Sequence, residues 1–397
     1  MNADPLVRRL NSWVVWAFLG CAAFSVVKHA PAGEVAPKAD VTTSADSPTA
    51  REPGGTGEGP LNYVSPAYWS HSWLAAAQEA EGSWDAKNWG AKKLGPLGAT
   101  SLALLAFHSV CFTEKGGRFR AHVAKALDWL QAQQRADGSF PWQAFEEQGM
   151  ATLALSEAYA MTEVASRGQA AQRALDYVCK TQPAHGGFGD RGACAWRDMD
   201  VVVTAWQVLA LRSGMLAKLK VPDVSVQRVH AFLAKVRTTG PDAAKSSRTG
   251  PLGVVSAVAC CRLLFETREG TEKAREAADF ILKQESRDGA PVEGGLTAEA
   301  KTDLYYGWFS GLTMLRVGGL QGDHWRAWKT IHMSALVAAQ VWDKEDAQGR
   351  PVRGSWDPAR YTWGDQGGHV FATSLAILTL TVPFRFLPLT RLGWSVE

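Results

Sequence analysis

The stretch "LQAQQRADGSFPW" (Leu130–Trp142) reads as the end of a helix, a glycine reversal and then an aromatic residue. Gln134 stands four residues before Gly138 and six before Phe140. The same spacing returns in "QEAEGSW" as Gln78, Gly82 and Trp84, and in "QPAHGGF" as Gln182, Gly186 and Phe188. Copies in register mean an internal repeat, and a repeat decides the fold before any single helix does. A Gln in the last helical turn can bond backbone groups exposed at a neighbouring helix end. Gly lets the chain reverse at the helix C-terminus. The aromatic then stacks over the Gln and seals the seam.

Between these copies the chain alternates two kinds of helix. The first kind is amphipathic. "FRAHVAKALDWLQAQQ" sets Phe119, Val123, Leu127 and Leu130 on one face, and "DVSVQRVHAFLAKVR" does the same with Val226, Val229, Phe232, Leu233 and Val236. The second kind is apolar nearly all round, as in "GATSLALLAF", "VVVTAWQVLAL", "GVVSAVACCRLLF", "GWFSGLTML" and "HVFATSLAIL". Such helices must be covered on most sides, and at about 12 to 18 residues they are too short for a membrane bundle. The amphipathic helices end near residues 80, 135, 182, 236, 285 and 341, a period of about 50 residues. Six pairs follow. The figure is stretched in two of them, with Gln284 before Gly289 and with Gln340 before a "GSW" delayed to Trp356. In the fourth pair, after Lys235, it is absent. A helix pair cannot bury its own apolar face, but six pairs closed in a circle can. The expected fold is all-α, an (α/α)6 toroid over residues 62–390, with six apolar helices inside six amphipathic ones and a short tail at 391–397.

The bulk numbers agree with a large globular core. Of 397 residues, 46% are hydrophobic and 20% charged. The net charge of +3, with no Lys/Arg run in the repeat region, leaves no electrostatic footprint for nucleic acid. Seventeen Trp supply core anchors or an aromatic-lined cavity. Ahead of the repeats, Arg8 and Arg9 precede an apolar stretch from Ser12 to Val27, which Leu10 can extend. It reads as a signal anchor or signal peptide over residues 1–30, with a cytoplasmic N-terminus, membrane contact through residues 10–27 and an exported ring. Residues 31–61 are rich in Pro, Gly, Ser and Thr and read as a disordered tether. Beyond Cys21 there are five cysteines without CxxC spacing, so neither a disulfide framework nor a zinc knuckle is expected; Cys179 and Cys194 flank one loop and could pair.

The Gln-x3-Gly-x-Trp repeats resemble the "QW" repeats of squalene–hopene cyclases and protein prenyltransferase β subunits, the terpenoid-cyclase α/α toroids. The resemblance implies that the inner helices start at one rim of a central cavity. That rim then carries Glu146 and Glu147, Asp198 and Asp200, Asp303, Tyr305 and Tyr306, and His369. In the cyclases an Asp-x-Asp-Asp-Thr motif follows a QW loop and its central Asp donates the starting proton. "DMDVVV" supplies Asp198 and Asp200 at the first and central positions, while Val201 and Val202 replace the last Asp and the Thr. On the residues alone, either Asp can equally cap the helix that begins at Val201. In the prenyltransferases, Asp-x-Cys and a His on the next inner helix hold zinc. "TDLYYGW" and "GGHVFATSLA" place Asp303 and His369 at the Asp and His positions, with Tyr305 where the thiolate belongs. Without the soft ligand no zinc is expected, and Asp303 and His369 should meet as a hydrogen bond or ion pair.

Other chemistry has little support, since GxSxG, HExxH, P-loop and dinucleotide signatures are absent. Residues 343–368, with Trp356, Tyr361 and Trp363, are long enough for a lid or for packing onto the outer ring. Two functions emerge. One is acid-initiated chemistry on an isoprenoid or other apolar substrate, with Asp200 the acid, Asp198, Asp303 and His369 beside it, and Tyr305 and Tyr306 facing developing positive charge. The alternative is a non-catalytic toroid that binds a lipid, peptide or protein at its rim. Neither needs a cofactor. A third ring chemistry, carbohydrate processing by paired carboxylates, would use Asp200 and Asp303.

Overall fold

The computed structural model describes residues 61–240, 243–287, 302–346 and 348–384. The apolar segment from Ser12 to Val27, the tether up to residue 60, Gly289 and the tail beyond 384 lie outside the described residues. The ring described below belongs to the unit Gly59–Glu397. Among the described residues there are twelve α-helices, short 3-10 turns and isolated bridges only. No described helix is long and apolar enough to cross a membrane.

The odd-numbered helices form the outer set, amphipathic except for the largely apolar α1: α1 Leu61–Ala76, α3 Arg120–Ala132, α5 Ala165–Thr181, α7 Asp223–Lys235, α9 Arg268–Arg287 and α11 Asp323–Ala338. The even-numbered are apolar: α2 Pro96–His108, α4 Glu146–Thr162, α6 Val201–Leu216, α8 Pro251–Leu264, α10 Leu304–Gly318 and α12 Gly364–Leu380. Periodicity explains the division. Helix α3 buries Val123, Ala126, Leu127 and Leu130, one stripe at spacings of three and four, and leaves Arg120 and Asp128 in water. Helix α6 buries every residue from Val201 to Leu211, so it must be surrounded. The packing supplies the surroundings: α2 packs on α4, α4 on α6, α6 on α8, α8 on α10, α10 on α12, and α12 back on α2. The inner circle is closed. Helices α11 and α1 also meet, so the outer circle closes at the same place.

The repeat figure stitches the outer circle together. Gln78 Nε2 donates to the carbonyl of His122 on the next outer helix at 3.0 Å, and Gln134 to that of Ala170 at 2.9 Å. Gln182 reaches Ser225 at 3.2 Å, and Gln340 reaches Pro66 at 2.9 Å. The glycine explains itself at Gly186. Its φ is +83°, and a Cβ there would lie 2.2 Å from the carbonyl oxygen of Arg228, one turn beyond the residue that Gln182 bonds. Gly82, Gly138 and Gly354 repeat that left-handed, backbone-to-backbone contact. The aromatic is fully buried in each copy, and its amide is taken by a side chain on the following inner helix. Trp84 N–H goes to Thr100 Oγ1, Phe140 to Gln148 Oε1, Phe188 to Thr204 Oγ1 and Trp356 to Thr373 Oγ1. Trp356 thus completes the delayed sixth copy. Residues 348–363 pack, with Trp356 and Tyr361 buried and the Arg350 guanidinium 3.9 Å from the Trp89 ring centroid.

Candidate functional site at the rim of the inner ring

All six inner helices begin at the same rim, and every neighbouring pair of starts is tied by hydrogen bonds. Glu147, in the first turn of α4, accepts from Gly95 N before α2 at 3.4 Å and from Gln143 N at 3.0 Å. Gln207 of α6 donates to the Phe145 carbonyl before α4 at 2.7 Å. Asp200 caps α6 through Val202 N and Val203 N and accepts Ser247 N, ahead of α8, at 2.8 Å. Asp303 caps α10 through Tyr306 N and accepts Gly250 N and the Thr249 hydroxyl ahead of α8. Thr302 exchanges backbone bonds with Arg360 and Thr362, and Leu94 N donates to the Gln366 carbonyl, which returns the belt to α2. These acceptors satisfy amides that helix starts leave bare, and their negative charge opposes the positive dipole ends gathered there.

One residue crosses the belt. Arg248 lies on the irregular segment before α8, in the repeat that lacks the Gln-Gly-aromatic figure, yet its side chain is only 4% exposed. Its Nε stands 2.5 Å from Glu146 Oε2, and its Nη1 stands 2.7 Å from Asp190 Oδ1 and 3.3 Å from Asp200 Oδ2. Three carboxylates on three elements therefore converge on one guanidinium. Burial, reinforced by the nearby charges of Asp200 and Glu147 and opposed by Arg248, pushes Glu146 up to about 7. Burial likewise lifts Glu147 to about 7 against the two amides it accepts. Arg248 stays cationic, because its carboxylates outweigh its own burial and raise its pKa further.

Inside the ring, aromatic side chains from different inner helices meet. Trp206 and Trp308 stack at 4.9 Å between centroids, and Trp308 meets Phe309 at 4.9 Å. Tyr305 packs edge-on against Phe371 at 5.4 Å, and burial together with the charge of Glu146 raises its phenol well above the usual range. Trp206, Trp308, Phe309 and Phe371 are all fully buried.

The residues picked out in the sequence divide between this cluster and other places. Glu146, Asp200 and Tyr305 surround Arg248. Asp198 faces solvent at 59% exposure, with Arg197 Nε 3.7 Å away. Tyr306 turns outward, where its hydroxyl and His332 Nε2 both meet Glu285 Oε1, the latter at 2.6 Å. The expected Asp303–His369 contact does not form. Asp303 is occupied by Thr249, Gly250 and Tyr306, while His369 Nδ1 lies 3.2 Å from Ser355 Oγ. The reason is local. Gly368, with φ +67°, breaks α12 just before His369, and a Cβ there would sit 2.5 Å from the Trp89 carbonyl, so this helix start is pinned to the first repeat. Asp303, Tyr305 and His369 consequently do not fit a shared zinc ion. Among the described residues no group of three His, Cys, Asp or Glu is placed to hold a metal. Cys179 and Cys194 are both free thiols. Arg248 is the residue that sequence reading missed. Its one signal was the lapse of the repeat at the fourth loop.

Solved structures share this architecture. The fold is that of the α/α toroids. The type II terpene cyclase MstE from Scytonema superposes with a TM-score of 0.53 at 12% identity, over 81% of this chain and 98% of that one. An unsaturated glucuronyl hydrolase specific for heparin gives 0.57 at 10%, over 82% and 97%. An alpha-1,6-mannanase from Salegentibacter gives 0.54 at 10%, over 81% and 99%. At such identities the likeness carries the toroid and no chemistry, since terpene cyclases and glycosidases share it. No family model and no curated protein matches the sequence.

Proposed function

We propose that this protein is a binding toroid, a closed ring whose rim, and not its axis, recognises a protein partner. The observation that carries this reading is the stack of Trp206 on Trp308, fully buried at the place where an axial ligand would lie. MstE takes geranylgeranyl dihydroxybenzoate as substrate. A ligand of that length needs an open apolar chamber, and a small-molecule pocket spans roughly 300–1,000 Å³. Here Trp206 of the third inner helix stacks on Trp308 of the fifth, with Phe309 against both and all of them fully buried, which supports a filled interior. The acid that the family resemblance assigns, Asp200, is engaged by two helix amides, the Ser247 amide and Arg248, an arrangement that supports a capping role. The rim loops in turn expose Trp196, Arg191 and Arg197, residue types that anchor protein interfaces.

The test has two arms. Wild-type protein and the Asp200→Asn and Glu146→Gln variants are incubated with squalene and prenyl diphosphates. Cyclised product from wild type that disappears in either variant sinks the proposal. A photo-crosslinking side chain at position 196 should capture a discrete partner that the same group at Lys218 does not. The reading includes a ring exported beyond the membrane that holds the Ser12–Val27 segment, supported by Arg8 and Arg9 ahead of it. Protease added outside intact cells should then cut the ring.

A second reading is favoured by one observation. Glu146, lifted to about 7, lies beside the cap carboxylate Asp200, and two carboxyl groups in unlike environments are the raw material of acid–base chemistry. It requires Arg248 to move first.

A further inference from the structure

We propose that the segment 243–250 is a charge-held latch over the mouth of the inner ring, with Arg248 as its bolt and protonation of Glu146 as its release. The inference concerns the rim's own mechanics and holds whatever the rim binds. It starts from a contrast. In the first, second, third and sixth repeats the connecting loop is fixed by the Gln-Gly-aromatic figure, whose bonds run to backbone or to neutral Thr and Gln side chains and do not titrate. The fourth loop has no such figure. Its attachments are the Lys245 carbonyl to Val201 N, the Ala244 amide to the Arg237 carbonyl, and carboxylates: Asp200 holds Ser247, Asp303 holds Thr249 and Gly250, and Arg248 is held by Glu146, Asp190 and Asp200.

The bolt crosses the ring. Glu146 starts the second inner helix, Asp200 caps the third, and Tyr305, which feels the charges of Glu146, Arg248 and Asp200, starts the fifth. Arg248 itself enters ahead of the fourth. Its guanidinium therefore lies over the aromatic stack, and its water-facing partners are the neighbouring Ser247 hydroxyl, 2.5 Å from Nη1, and one carboxylate, Asp190, 57% exposed at the tip of the Gly-rich turn between Gly189 and Gly192. The charged and titratable groups that face Glu146 are Arg248 from the fourth loop, Asp200 from the cap of α6, Glu147 from its own helix and Tyr305 from α10. Three carboxylates share one guanidinium, so one of them can take a proton without leaving the cation unpaired. Glu146 is the one with least access to water. Once neutral it no longer holds Nε by charge. Arg248 is then left to Asp200 and to the exposed Asp190, where solvent competes for it. The latch loosens towards acid and tightens towards alkali.

Arginine modification reads this directly. Phenylglyoxal adducts are located by mass spectrometry, and the rate at Arg248 is divided by the rate at the exposed Arg197 of the same molecule, which cancels the reagent's own pH dependence. With Glu146 near 7, the ratio in wild type should rise about tenfold from about pH 8 to about pH 6. In Glu146→Gln the ratio should be flat and no lower than the acid value of wild type. Asp190→Asn, which removes only the exposed carboxylate, should raise the ratio and keep the slope. Circular dichroism confirms that each variant is folded before labelling. A flat wild-type profile overturns the latch. So does a slope that survives in Glu146→Gln, or one abolished by Glu147→Gln instead.

Discussion

Gln340 donates its side-chain amide to the carbonyl of Pro66, 274 positions earlier in the chain, and to that of Gly354 in its own repeat. The same pair of bonds that joins successive repeats elsewhere here joins the last repeat to the first. Replacing Gln340 by Ala takes the side-chain donor from the buried Gly354 carbonyl and leaves the buried Pro66 carbonyl to the Ser70 hydroxyl at 2.6 Å, at the one seam with no covalent continuity. A loss of about 1–3 kcal/mol is expected for that change. Urea unfolding of Gln340→Ala beside Gln78→Ala checks it. Both should fall within this range, and a negligible effect at Gln340 would mean that the ring is held shut by apolar packing alone.

Gly186→Ala should be among the most damaging single-methyl changes in the molecule. The residue has a left-handed φ, and the new carbon would press into the Arg228 backbone. Strain of about 1–3 kcal/mol is expected from the dihedral alone, with the overlap added to it. Gly240, also left-handed but with only the flexible end of Arg237 near, should lose no more than the dihedral part. Denaturant midpoints of the two variants test the difference.

Arg248→Ala should destabilise by about 3–5 kcal/mol at alkaline pH, because Glu146 and Asp200 are left buried without a counter-charge. The loss should shrink as pH falls, since Glu146 then takes a proton. The double variant Arg248→Met with Glu146→Gln should recover much of the stability. A double variant no better than Arg248→Ala would mean that the guanidinium matters for its hydrogen bonds and not for its charge.

Glu146 and Glu147 also set a pH trend in the wild type. Both carboxyls sit at about 7 when folded, against 4.5 for the ordinary group. Between those values the folded chain binds protons that the unfolded chain has released. Stability therefore falls as pH rises from about 4.5 to about 7, and this contribution is level beyond. Urea midpoints across that window should decline, and Glu147→Gln should flatten the decline.

Trp308→Ala should hollow the axis and destabilise by about 3–5 kcal/mol. An apolar hole of that kind binds small apolar guests. Added indole should raise the thermal midpoint of Trp308→Ala and leave wild type unchanged. Equal stabilisation of wild type would reveal an existing chamber beside Trp206.

The fold was legible because its signal is local and repeated. Each Gln, Gly and aromatic acts within one seam, and the same three residue types recur at one spacing. The second stretched copy proved genuine, since Gln340, Gly354 and Trp356 make the bonds of their short-range counterparts. The starts of the inner helices were legible too, because Asp200 and Asp303 are polar residues at the entrance to apolar runs. What they contact was not. Glu146 and Arg248 lie 102 positions apart, and Arg248 sits in "KSSRTG", a stretch that reads as ordinary linker. Likewise His369 and Asp303 occupy family positions in sequence, yet the break at Gly368 commits the former to Ser355 and the first repeat. Long-range side-chain pairing depends on loop paths, and loop paths carry no period to read.

A linear array of helical hairpins has two terminal units that need special outer faces and can fray inward one by one. The junction of α11 with α1 removes both ends. Any of the loops on the rim opposite Arg248 could then serve as the chain's beginning, and a permuted gene that joins the old termini and opens the chain at Gly116 would keep every side-chain contact described for the circle. Such a molecule should melt in one step, as a hoop does when any stave is drawn.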